Sequence, residues 1–89
     1  MRLRLELDPE VDGEAPNDDR VTPYDELHLI TYLRLLDADA EGADWREVAT
    51  IVLHLDPDRY PAASRRSFES HLARARWMTS VGYRHLLRP

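Results

Sequence analysis

Residues 1–8 alternate apolar and polar, with Met1, Leu3, Leu5 and Leu7 set against Arg2, Arg4, Glu6 and Asp8. A period of two predicts a half-buried strand. No second strand follows to pair with it, and an isolated strand is unstable. The stretch is therefore expected to lie along a helix, add to a partner or stay disordered. Residues 9–20 (PEVDGEAPNDDR) are acidic and contain Pro and Gly, the composition of a linker. Residues 1–21 thus read as a flexible acidic segment with a strand-like start, and residues 22–89 as the folded domain.

From residue 22 the spacing becomes helical. Thr22 suits an N-cap, Pro23 the first helical position, and Asp25 and Glu26 the first turn, where the helix dipole favours anions. Leu29, Ile30, Leu33, Leu36 and Ala40 share one face, the expected core side. Leu35 falls outside that stripe beside His28, with Tyr32 on the flank, and Gly42 ends the helix.

Asp44 opens a second helix, with Glu47 three residues on as an imperfect capping box. Trp45, Val48, Ala49, Ile51, Val52 and Leu55 form its expected buried side, while Arg46, Glu47, Thr50 and His54 face out. The two prolines of DPDRYPAAS break the chain. Ser64 is the expected cap of a third helix, with Phe68, His71, Leu72, Ala75 and Met78 on one face. Arg66, Ser70, Ala73 and Trp77 occupy the other, flanked by Arg65, Arg74 and Arg76. Gly82 interrupts this helix, and residues 83–87 are expected to form a short closing helix that lays Leu86 and Leu87 on the core. The pattern predicts an all-α helix-turn-helix bundle: three main helices, a short C-terminal helix, and an extended or disordered N-terminal segment.

Composition narrows the chemistry. A chain of 89 residues supports one small core. It contains no Cys, so neither a disulfide nor a thiolate metal site is available. His28, His54, His71 and His85 show no metal-ligand spacing, and no metal is expected. No Gly-rich phosphate loop or nucleophile–base spacing appears, so no catalytic residue and no cofactor are expected. No apolar run approaches the roughly 18–20 residues of a membrane span, and the N-terminus lacks the h-region of a signal peptide. The expectation is a cytoplasmic, non-enzymatic monomer with no membrane partner and no small-molecule ligand.

Charge is distributed unevenly. Residues 1–20 carry seven acids against three Arg, residues 21–58 nine against two, and residues 59–89 one against seven. Arg65 and Arg66, with Ser70 one turn on, stand where a recognition helix reads bases, and they are the candidate DNA-binding residues. The second helix would cross the phosphate backbone, yet its surroundings offer Asp39, Glu41, Asp44 and Glu47, and each acid near phosphate weakens binding.

The stretches YLRLLDA (residues 32–38), GADWREVATIVL (42–53) and HLARARWMTSVGYRHLLR (71–88) are similar to the RovC-type DNA-binding domain family. The closing motif is matched by Gly82, Tyr83, Arg84, Leu86 and Leu87. The resemblance implies a helix-turn-helix variant of transcription factors and of regulators of integrative and conjugative elements. Among its members, short acidic stand-alone chains resemble the QseM-like antiactivators, which bind activators instead of DNA. Those activators include a LuxR/TraR-type quorum-sensing regulator and an excision activator.

On this reading the protein is an antiactivator that binds transcriptional activators and represses transfer of such an element, with DNA binding weak or absent. Its partner-binding residues would be Glu41, Asp44, Glu47, Arg66, Ser70, Arg74 and Trp77. The alternative is a DNA-binding transcriptional regulator that reads DNA through the third helix, using Arg65, Arg66 and Ser70.

Overall fold

The structure, a computed structural model, describes residues 6–82. It contains helices α1 (Pro23–Leu27), α2 (Leu29–Ala40), α3 (Trp45–Leu53) and α4 (Pro61–Trp77), followed by a π-helical turn (Met78–Gly82). No strand occurs among the described residues. The first five residues of the strand-like start, and the closing helix expected over residues 83–87, lie outside them.

The start of α1 is the one its sequence predicts. Thr22 Oγ1 accepts the Asp25 amide at 3.1 Å, and the Asp25 carboxylate accepts the Thr22 amide at 2.8 Å, a reciprocal cap. The long first helix expected from periodicity is divided at His28, whose backbone (φ −102°, ψ 19°) caps α1 and starts α2. Gly42 (φ 71°) ends α2 in the left-handed region, as its position predicts, and the Ala43 amide returns to the Ala38 carbonyl at 3.0 Å. His54 ends α3 in the same left-handed region (φ 57°, ψ 35°) with a side chain present, a conformation His adopts more readily than a β-branched residue would.

α4 begins four residues earlier than expected, with Tyr60 instead of Ser64 at the N-cap position. Pro61 occupies its first turn, where the missing amide proton has no helical partner to lose, so this proline starts the helix instead of breaking it. Ser64 is consequently a buried residue of that first turn and makes no side-chain cap.

The core consists of Tyr32, Leu35, Val48, Val52, Leu53, Leu72, Ala75 and Met78. Two expectations are corrected here. Leu33 and Ile51, assigned to the core, are 57% and 62% exposed, whereas Leu35, set outside the stripe, is 1% exposed. The inward face of α2 continues the stripe His28, Thr31, Tyr32 and Leu35, all buried and three of them polar. Hydrophobicity alone therefore puts the helix in the wrong phase. Trp45, expected in the core, is half-buried and lies outside it, its ring 6.0 Å from that of Phe68.

Residues 6–22 run as an extended strap across α1 and α4. Pro9 is buried, Val11 packs against the core, and polar groups of the strap meet side chains from three helices or their caps. The acidic stretch that reads as a linker thus supplies a wall of the domain.

Candidate nucleic-acid interface

α4 has one face turned to the strap and another turned to solvent. On the strap side, Arg74 is buried and makes a bidentate pair with the fully buried Asp25, Nε to Oδ1 at 3.0 Å and Nη2 to Oδ2 at 2.7 Å. Its remaining donors reach the carbonyls of Asp18 (2.5 Å) and Arg20 (2.7 Å). The Tyr32 hydroxyl donates to Asp25 Oδ1 at 2.7 Å. Burial alone would raise the Asp25 pKa, but these donors outweigh it and hold the carboxyl below the usual carboxylate range. The Arg74 guanidinium is raised in turn by the same contact.

One turn earlier, His71 Nδ1 donates to the Ser67 carbonyl at 2.7 Å, leaving Nε2 to accept the Tyr24 hydroxyl at 2.6 Å. Burial pushes the His71 pKa down and the Tyr24 pKa up to about 12. Asp12 joins this network from the strap, its amide donating to the Tyr24 oxygen at 3.0 Å and its carbonyl accepting the Ser67 hydroxyl at 3.2 Å.

Three of the expected partner-binding residues are committed to this side. Arg74 is spent on Asp25 and the strap carbonyls. The Ser70 hydroxyl accepts the Ala15 amide at 3.0 Å and donates to the Ser67 carbonyl at 3.0 Å, so it sits under the strap. Trp77 is half-buried, with the Arg74 guanidinium stacked 3.8 Å from its ring. Helical spacing within α4 alone puts Ser70 and Trp77 on the outer face and Arg74 on its flank, because it takes no account of an extended segment 55 residues away in sequence.

The solvent side carries Ala62, Arg65, Arg66, Glu69, Ala73 and Arg76, all exposed. Arg65 Nε donates to Glu69 Oε1 at 2.5 Å, and its guanidinium lies 4.8 Å from the Trp45 ring centroid. Arg46, from the first turn of α3, lies 5.1 Å from the same ring and pairs loosely with Asp58 at 3.9 Å. Arg59, in the loop, rests 5.2 Å from the Tyr60 ring. Arg59 and Arg66 have no ion-pair partner among the described residues. The start of α3 and the start of α4 therefore bring two exposed guanidiniums, Arg46 and Arg65, over Trp45, with Arg59 in the loop between the helices and Arg66 beside Arg65. The sequence holds no signal for Trp45 as their hub, since a Trp at apolar spacing reads as core.

One of the four acids counted against phosphate, Asp39, is compensated within the chain, as is Asp8 of the N-terminal segment. Asp39 pairs with Arg76 at 2.8 Å, and Asp8 with His54 at 2.7 Å and Arg34 at 3.5 Å. Glu41, Asp44 and Glu47 are exposed with no ion pair among the described residues. Among those residues no group of His, Asp and Glu could hold a metal ion, and no helix is long and apolar enough to cross a membrane.

A protein-family model described as "T6SS, Transcription factor, DNA binding domain" matches residues 1–88. No curated protein matches the chain. The family match overturns the expectation that DNA binding is weak or absent, and it offers no support for transcriptional activators as the partners. A charge sum by segment does not show which cations the fold leaves exposed: Arg59 and Arg66 carry no ion pair among the described residues, and of the four acids counted Asp39 is held by Arg76.

Proposed function

The chain belongs to the RovC DNA-binding domain family of T6SS transcription factors, and from that premise we propose that it is a non-enzymatic transcriptional regulator whose α3–α4 pair docks on duplex DNA. The observation that carries this reading is the group of exposed guanidiniums from Arg46, Arg59, Arg65 and Arg66 at one end of that pair. Arg59 and Arg66, without acidic partners, are phosphate contacts. Arg46 flanks them from α3, the helix that crosses the backbone in a helix-turn-helix. The family membership supports DNA as the partner class. The placement of the cations supports this end of the molecule as the contact surface.

The remaining acids set the character of that binding. Asp44, the N-cap of α3, and Glu47, in its first turn, flank that surface with Glu41 nearby, and each repels phosphate, which lowers affinity for arbitrary duplex. Binding then depends on a site that fits α4.

The test is duplex binding as a function of salt. Each neutralised phosphate contributes about −0.9 to the slope of log K against log salt. Arg59→Glu with Arg66→Glu should abolish binding at every salt concentration while the protein melts as wild type. Failure of the wild-type protein to bind any duplex at about 50 mM salt would sink the proposal.

A further inference from the structure

We propose that Arg65 is the base-reading residue of this interface and that the base it reads is guanine; this deepens, and rests on, the DNA-binding reading above. Arg65 is held on two sides, and more closely than Arg46, which lies 5.1 Å from the same ring but pairs with Asp58 only at 3.9 Å. Its Nε is used by Glu69 one turn along α4, at 2.5 Å. Its guanidinium lies over the Trp45 ring at 4.8 Å, with Phe68 at 6.0 Å. The two Nη groups meet no acceptor among the described residues. They leave a pair of donors open on a side chain contacted by both Glu69 and Trp45.

That arrangement fits one ligand edge better than the others. A braced fork with two outward N–H groups matches two acceptors on one base edge, and in the major groove guanine alone offers O6 and N7 together. A phosphate contact requires no carboxylate brace, and neither Arg59 nor Arg66 has one among the described residues. Glu69 is the second half of the argument. A carboxylate on the outward face of a recognition helix repels phosphate, so its place there is explained by what it does to Arg65. It orients the fork and lowers the rotamer freedom lost on binding. Trp45 supplies the flat surface that fixes the guanidinium plane.

The experiment is selection from a random-sequence duplex library with the full chain and its Arg65→Lys, Glu69→Gln and Arg66→Lys variants, followed by affinity measurement on the selected site and its single-base changes. All three positions are exposed, and thermal melting checks that each variant folds. Wild type should select a site with one G·C pair preferred by roughly 5- to 150-fold. Arg65→Lys keeps the charge but loses the fork, and should bring that preference close to parity while leaving the rest of the site unchanged. Arg65→Gln provides a second removal of the fork. Glu69→Gln should raise affinity for arbitrary duplex and lower the preference at the same base pair, whereas Arg66→Lys should leave it intact.

If Arg65→Lys weakens all sequences equally, Arg65 contacts phosphate and the assignment fails while DNA binding stands. A Glu69→Gln variant with full preference would likewise overturn it, because the brace would then be idle. No retention of any duplex by wild type removes the DNA-binding reading itself.

Discussion

Arg66 and Arg74 lie eight residues apart on one helix and have opposite fates. Arg74 is buried, with all three nitrogens of its guanidinium bonded to Asp25 or strap carbonyls. Arg66 is exposed and carries no ion pair among the described residues. The strap makes the difference. It brings carbonyl oxygens over one flank of α4 and none over the other, so identical side chains become an internal fastening on one side and a surface cation on the other. Counting arginines along α4 therefore overstates the interface. What counts is which of them the rest of the chain has left uncovered.

The largest break in that comparison should come from Asp25→Ala. It leaves a buried guanidinium without its anion, and such losses cost about 3–5 kcal/mol, read as a drop in the urea midpoint. Arg66→Ala should move the same midpoint by less than about 0.5 kcal/mol. Equal effects of the two substitutions would erase the distinction. Next in size is Leu35→Ala, expected to cost about 2–5 kcal/mol through a core cavity, while Leu33→Ala on the exposed side stays near neutral.

A smaller change should have the opposite sign. Thr31 Oγ1 is buried with no hydrogen-bond partner, so Thr31→Val should stabilise by about 1 kcal/mol. A loss on that substitution would mean that the hydroxyl has a partner after all.

Acid should weaken the strap side gradually. The folded state disfavours imidazolium at His71, chiefly through burial, so the unfolded chain binds a proton first. Stability is then lost as pH falls below about 6.5, the ordinary His value. His71→Gln should flatten that part of the profile. Asp25, whose folded pKa is depressed, contributes stability above its unfolded value and loses it at lower pH still, below about 4.

The smallest effect on stability, and the clearest on function, belongs to Arg66→Ala. The midpoint should hold, and the salt slope of duplex binding should fall by about 1.

The sequence displays what is local. The cap at Thr22, the turn at Gly42 and the all-helical class follow from neighbours within a few residues. Asp25 also reads correctly as a first-turn acid, but its second role as the anion for Arg74 depends on a residue 49 positions away. The phase of α2 is lost for a related reason. Its inward stripe includes His28, Thr31 and Tyr32, which are buried with polar partners supplied by α1 and the strap or, for Thr31, with none. At the interface, Arg65 and Arg66 stand out in sequence as cations at a helix start. Trp45 and Glu69, which set Arg65 apart, do not stand out, because their meaning lies in a contact between two helices. Ser70 and Trp77 were misplaced by the strap.

The strap also makes part of the fold non-local. Its contacts with α4 join residues 54 to 56 positions apart: Asp12 to Ser67, Ala15 to Ser70, and Asp18 and Arg20 to Arg74. Closing a loop of that length costs chain entropy that the contacts within each helix do not. The Asp18 and Arg20 carbonyls take Arg74 donors that Asp25 does not use, so the burial of this charge pair is tied to the longest loop closure among these contacts.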